Sequence, residues 1–155
     1  MELQKIITLE RTRCHGPCAT KKSTLEFTSK ILTDHNAQLS CHEILTKLLE
    51  RERLGSTSIG HGVAIPHARV QALKAPVASL LHLETPIDFD NDTDQPVDLI
   101  FGFIVPEEFA DEHLQLISTL ATLFNEKKFR EKLRKAATDQ ELYQAMITYQ
   151  KEFAL

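Results

Sequence analysis

The chain has 155 residues, a formal charge of −4 and 42% hydrophobic content, which fits one domain able to bury a substantial core. Its lysines and arginines are dispersed among acids, unlike the concentrated basic surface that binding to a nucleic-acid backbone demands. The longest apolar run, Leu99 to Val105, is far too short to span a bilayer, and the N-terminus lacks a signal peptide's apolar core. The expectation is a soluble, cytoplasmic protein with no nucleic-acid partner and no membrane insertion.

Three cysteines (Cys14, Cys18, Cys41) are an odd number in a chain without an export signal, so reduced thiols are expected rather than a disulfide framework. Cys14 and Cys18 beside His15 have the spacing of a ligand pair. A zinc site needs a second cluster, which the sequence does not offer, and no metal is expected.

In chain order, residues 1–8 are set aside as a flexible N-terminus. Lys21 to Asp34 carries Leu25, Phe27, Ile31 and Leu32 at helical spacing, so one face of a first helix can be buried. Ser40-Cys41-His42-Glu43 fits a capping box, and Ile44, Leu45, Leu48 and Leu49 continue one apolar stripe, which predicts a second helix ending near Arg53 at Gly55. Val63-Ala64-Ile65 reads as a short strand terminated by Pro66, because proline cannot donate to a ladder. His67 would then stand at a strand end and reach solvent.

Val77 to Leu83 reads as a second strand, and Val97 to Val105 as an apolar strand covered on both faces, the kind found within a sheet sandwiched by helices. Between them the alternating aspartates from Asp88 to Asp94 invite a calcium reading. Thr93 and Leu99 stand where that loop needs glycine and glutamate, so a solvated hairpin loop is the better reading. Asp111 is expected to cap a helix striped by His113, Leu116, Ile117, Leu120 and Phe124. Two further helices follow, the last opened by Thr138-x-x-Glu141 and striped by Leu142, Ala145, Met146 and Tyr149. The fold class is α/β: a single domain, residues 1–155, with a mixed β-sheet flanked by helices on both faces.

The segment from Arg51 to His67 concentrates the chemistry. Gly55, Ser56, Thr57, Gly60 and Gly62 make a loop whose backbone can approach an anion, with two hydroxyls as further donors. An imidazole is a competent nucleophile toward phosphorus at neutral pH without a strong base nearby. It needs charge stabilisation on the transferring group, which Arg51 or Arg53 can supply bidentately. By its residues alone, His67 remains open between that nucleophile and an ordinary loop histidine. His113 falls in the first turn of its helix, where unpaired N–H groups favour anions and a neutral imidazole; the alternative is a core histidine satisfied by one hydrogen bond. His61 reads as a spectator, and His15, His35, His42 and His82 as surface or structural residues.

Two other motifs fail on specifics. His61-Gly62 occupies the place where a nucleotide phosphate loop requires lysine and then serine or threonine. A serine nucleophile would need a Gly-x-Ser-x-Gly elbow, which is absent from the sequence.

Arg51-Glu52-x-x-Gly55-Ser56-Thr57-x-Ile59-Gly60-x-Gly62-x-Ala64-Ile65-Pro66-His67 resembles the active-site segment of the enzyme IIA domains of the fructose/mannitol class of the bacterial phosphotransferase system. Leu83 to Asp90, Gln95 to Leu99, and Glu112-His113-Leu114 opening a helix extend the resemblance, which runs from about Leu9 to Tyr149. It is greatest to the nitrogen-regulatory branch, a free-standing member with no permease attached.

The resemblance implies a transient phosphohistidine on the distal (tele) nitrogen of His67, charged by a phosphorylated HPr-like carrier whose phosphate descends from phosphoenolpyruvate. It implies that Arg51 and His113 bracket the phosphoryl, that the Gly55, Ser56, Thr57, Gly60, Gly62 loop cradles it, and that no metal or cofactor takes part. The output would be regulation of nitrogen, carbon or ion metabolism through phosphorylation-dependent binding of protein targets. The alternative is passage of the phosphoryl to an enzyme IIB in fructose/mannitol-type sugar transport. Ala68-Arg69 stands where relatives commonly have Gly-Lys; alanine disfavours positive φ, so an altered turn after His67 is expected, with its positive charge retained.

Overall fold

Hydroxyl caps and glycine stops divide the first half of the chain as its pattern suggests. After β1 (Thr12–Gly16) come α1 (Lys21–Thr33), α2 (Cys41–Leu54), β2 (Ser58–Gly60), β3 (Val63–Ala64) and β4 (His67–Val70). Then follow β5 (Val77–Ile87), β6 (Val97–Pro106), α3 (Ala110–Asn125), α4 (Lys127–Lys135) and α5 (Asp139–Phe153). The computed structural model describes residues 2–89 and 95–153, so the Asp90–Asp94 part of the acidic loop lies outside the described residues.

Ser40 Oγ accepts from the Glu43 amide at 3.3 Å, and Gly55 closes α2, as the capping pattern predicts. The expected Asp111 cap is not formed: Phe109 is the N-cap of α3 and makes no side-chain cap bond. Asp111 lies one position inside the first turn, where its charge complements the helix dipole instead. At α5, Thr138 Oγ1 accepts from the Glu141 amide at 3.1 Å, and the Glu141 carboxylate reaches back to the Ala137 amide at 2.7 Å.

The sheet is mixed, in the order β1-β5-β6-β3-β2 with β4 also paired to β6. β1 runs parallel to β5, β5 antiparallel to β6, and both β3 and β4 parallel to β6. Side-chain alternation along β6 divides the core in two. Leu99, Phe101, Phe103 and Val105 pack with α3, α4 and α5, while Ile100 and Ile104 pack with α1 and α2. Helices therefore cover both faces of the sheet, and β6 is buried almost throughout. Gly102 lets α1 come close on that second face: a Cβ there would meet Thr28 Cγ2 at 2.4 Å.

The N-terminus departs from the sequence expectation. Leu3, Ile6 and Ile7 are buried in the α3–α5 side of the core, the Leu3 amide donates to Gln150 Oε1 at 2.8 Å, and the Ile6 carbonyl accepts from Ala78 at 2.8 Å. The segment is too short for a periodic signal, yet its three apolar side chains join the core where its backbone is tied to β5 and α5. No helix among the described residues is long and apolar enough to cross a membrane.

Candidate active site

Pro66 interrupts a strand rather than ending it. Val63 lies opposite Leu99 and Ala64 opposite Ile100, and beyond the proline His67 lies opposite Phe103 in the same register. Pro66 lacks only the donor; its carbonyl still accepts from the Phe103 amide at 3.0 Å. His67 is thus the first residue of β4 and is only 7% exposed, not a solvent-reaching strand end. Ala68 lies within β4, so there is no turn after His67 for alanine to strain.

The His67 ring is held on two sides. It stacks on Phe103 with centroids 5.1 Å apart and planes 8° from parallel. Its Nδ1 is 2.7 Å from the Ile65 carbonyl, and since a carbonyl can only accept, Nδ1 carries the proton and Nε2 the free lone pair. Burial pushes the pKa of His67 below the usual imidazole value; the Ile65 carbonyl and Glu52 oppose the shift, and Arg51 adds to it. At neutral pH the ring is neutral and in one tautomer.

Arg51 is in the last turn of α2, where its Nη1 donates to the Gly55 carbonyl at 2.8 Å. The neighbouring Glu52 turns inward. It pairs with Lys21 Nζ at 3.0 Å and accepts from both the amide (3.1 Å) and the hydroxyl of Thr57. The Thr57 carbonyl in turn accepts from the Ile65 amide at 2.9 Å. Glu52 therefore ties the end of α2 to the loop and, through that loop, to the residue that orients His67.

His113, in the first turn of α3 and 8% exposed, meets His67 edge-on with ring centroids 5.1 Å apart. Arg69 Nε donates to His113 Nδ1 at 3.3 Å. The opposite nitrogen, Nε2, is buried with no hydrogen-bond partner among the described residues. Burial, then the charges of His67, Arg69 and Arg51, lower the pKa of His113 to about 4. It is neutral at physiological pH, and a neutral imidazole whose Nδ1 accepts must carry its proton on Nε2.

These groups open on one cleft of about 440 Å³ at the free edge of β4, lined by Lys47, Glu50, Arg51, Leu54, His67, Ala68, Arg69 and His113. Of the residues singled out by sequence, His67, Arg51 and His113 come together here. Gly55, Ser56, Thr57, Gly60 and Gly62 are not in the lining, and most of their groups are engaged elsewhere. The Thr57 amide and hydroxyl both go to Glu52, and Ser56 Oγ accepts from the Ser58 amide. Gly62 takes φ +76 against Arg134, whose Nη2 a Cβ there would meet at 2.6 Å. Through Glu52 and Thr57 the loop braces the end of α2, and Gly62 is the glycine that close packing requires, while Gly55 and Gly60 have open space around them and take positive φ.

Sequence reasoning missed Lys47, Leu54 and Arg69 as cleft residues. Arg69 had a findable signal: two residues beyond His67 on a strand, it shares the same face. Ending the strand at Pro66 hid that relation. The other histidines are placed apart. His82 pairs with Asp98, which Arg134 also holds, and His15 bridges Glu84 and the Ala137 carbonyl. The Cys14 thiol donates to the Ala136 carbonyl at 3.3 Å, all three cysteines are free, and the described residues hold no cluster with metal-ligand character.

Comparison with known proteins identifies the family. The family model for the phosphoenolpyruvate-dependent sugar phosphotransferase system, EIIA 2, matches residues 5–149. The nitrogen regulatory protein of Pseudomonas aeruginosa is 36% identical over 150 residues, covering 97% of each chain. The fructose-specific EIIA component of the phosphotransferase system in Haloferax volcanii is 33% identical over 139 residues, 90% of each chain. The crystal structure of nitrogen regulatory protein IIA-Ntr from Neisseria meningitidis aligns with a TM-score of 0.85 at 33% identity, covering 92% of this chain and 97% of that one. On that extent of match, the chain belongs to the EIIA 2 family of the phosphoenolpyruvate-dependent sugar phosphotransferase system.

Proposed function

We propose that the protein is a phosphoryl carrier that accepts its phosphoryl group on Nε2 of His67 from a phosphorylated HPr-like protein, and that the phosphorylated form regulates protein targets. The observation that carries the reading is the state of His67: Nδ1–H is committed to the Ile65 carbonyl, which leaves Nε2 as the nitrogen with a free lone pair on a neutral ring that lines the cleft. In the transfer that lone pair forms the new N–P bond while the bond from phosphorus to the carrier breaks, its electron pair leaving with the carrier. The ring becomes cationic, and the Nδ1–H bond to the Ile65 carbonyl stabilises that charge. Arg51 and the Nε2–H of His113 face the charge spread over the equatorial oxygens. The Gly55, Ser56, Thr57, Gly60 and Gly62 loop acts through the placement of Arg51 and Ile65.

Phosphorylation adds about −1.5 to −2 charges beside the exposed Leu54 and Leu114, enough to recruit or repel a partner at that rim. Similarity to nitrogen regulatory proteins favours this regulatory output. The fructose-specific relative supports a second reading, passage of the phosphoryl to an enzyme IIB.

Incubation with phosphoenolpyruvate, enzyme I and an HPr-type carrier should add one acid-labile phosphoryl, detected by mass. No label on the wild type, or full labelling of His67→Ala, would overturn the assignment. Addition of an enzyme IIB from the fructose or mannitol class separates the readings: retention of the label supports the regulator, and its discharge the relay.

A further inference from the structure

We infer that Arg69 is a positioning residue, which holds His113 in the single tautomer and orientation that presents Nε2–H to the phosphoryl group. The inference rests on the phosphocarrier reading above. It also rests on observations that reading does not use.

The first is strand geometry. Residues two apart on a strand share a face, so Arg69 follows His67 on the side of β4 toward α3, while Ala68 and Val70 pack into the opposite core. The backbone therefore sets the guanidinium beside the His67–His113 pair whatever the rest of the cleft does. The second is the contact itself, Arg69 Nε to His113 Nδ1 at 3.3 Å. A guanidinium has only donors, so this contact is a hydrogen bond only when Nδ1 of His113 is bare. A proton on Nδ1 would set two N–H groups against each other.

The third is the far nitrogen. Nε2 of His113 is buried without a partner among the described residues, although buried donors are almost always satisfied and orphans ask for an explanation. The His67 ring lies next to that imidazole, so a group transferred to His67 supplies an acceptor where the protein supplies none. A donor fixed in advance on a rigid helix needs no reorientation when charge develops. The charge of Arg69 also opposes protonation of His113. The donor consequently stays neutral and holds the phosphoryl less tightly than an imidazolium ion pair would, which suits a group that must leave again.

The test uses the full chain with histidine labelled by 15N, read by long-range 1H–15N correlation, together with the rate of phosphoryl transfer. The substitutions are Arg69→Met, which keeps length and removes every donor, and Arg69→Lys, which keeps a charged donor. Wild-type His113 is expected as the pure Nε2–H tautomer at neutral pH. Arg69→Met should show a tautomer mixture and transfer roughly 10- to 100-fold slower, the loss seen when a metal-binding histidine loses its orienting partner. Its thermal midpoint should be unchanged, since Arg69 is exposed, and Arg69→Lys should recover most of both signals. A wild-type proton on Nδ1, or a pure Nε2–H signature in Arg69→Met at any transfer rate, would overturn the inference. A wild type that takes no phosphoryl at all refutes the phosphocarrier reading instead, and the spectrum still decides whether Arg69 sets the tautomer.

Discussion

Removing the Glu52 carboxylate should weaken the fold and the site together. The side chain is 5% exposed and gathers three donors: Lys21 Nζ, the Thr57 amide and the Thr57 hydroxyl. A hydrogen bond to a charged group contributes about 1.5–3 kcal/mol, and Thr57 is itself buried, so Glu52→Ala leaves its two donors unsatisfied. Lys21 is 31% exposed and can turn to water, which holds its share below about 1 kcal/mol. The expected loss is about 3–4 kcal/mol by urea unfolding, or roughly 10 °C in thermal midpoint for a chain of this size. A double-mutant cycle with Thr57→Val, which keeps the backbone amide, isolates the hydroxyl–carboxylate bond and should give a coupling of at least about 1 kcal/mol. The Thr57 carbonyl positions Ile65, which orients His67, so phosphoryl transfer should slow even where the variant is fully folded. A stability loss under about 1 kcal/mol with unaltered transfer would refute the view that Glu52 anchors the loop.

Two further outcomes follow from the same geometry. Arg51→Ala should slow transfer by about 10- to 1000-fold, the range for losing one preorganised charge donor, with single-turnover kinetics as the readout; an unchanged rate removes Arg51 from the mechanism. His113, whose pKa is lowered to about 4 chiefly by burial, binds its proton more weakly folded than unfolded. Its contribution to stability is whole above about pH 6.5 and is lost as pH falls toward 4, because the unfolded state takes up the proton first. The urea midpoint should therefore drop more between pH 7 and pH 5 in the wild type than in His113→Gln, and equal drops would contradict the burial of a neutral ring.

Much of the fold was legible because its signals are local. Ser40 and Gly55 bound α2, and the apolar run after Val97 is a strand buried on both faces. What escaped depends on partners distant in sequence. Leu3, Ile6 and Ile7 pack because β5 and α5 leave room for them. Asp111 has the right chemistry for a cap, but the helix begins two residues earlier, after Phe109. Pro66 lacks a donor, which is visible in the sequence, but its carbonyl still accepts and keeps β3 and β4 in one register, which is not.

The site follows the same division. His67 and Arg51 are near in sequence and were singled out together. His113 joins them only through the pairing of β4 with β6 and the start of α3 soon after β6 ends, which residue patterns leave open and family resemblance suggests. The glycine-rich loop shows the limit of composition. Small and hydroxyl residues suit both an anion cradle and a tight brace, and the Glu52 carboxylate takes both Thr57 donors for bracing.

In the proposed transfer the Ile65 carbonyl commits Nδ1 of His67 and so directs the phosphoryl group to Nε2. The most direct test is 15N and 31P NMR of the protein labelled on histidine and charged from phosphoenolpyruvate through enzyme I and an HPr-type carrier. One phosphorylated histidine, His67, is expected, with its N–P bond at Nε2 and Nδ1 still protonated. A bond at Nδ1, or a phosphoryl on any other histidine, would contradict that expectation.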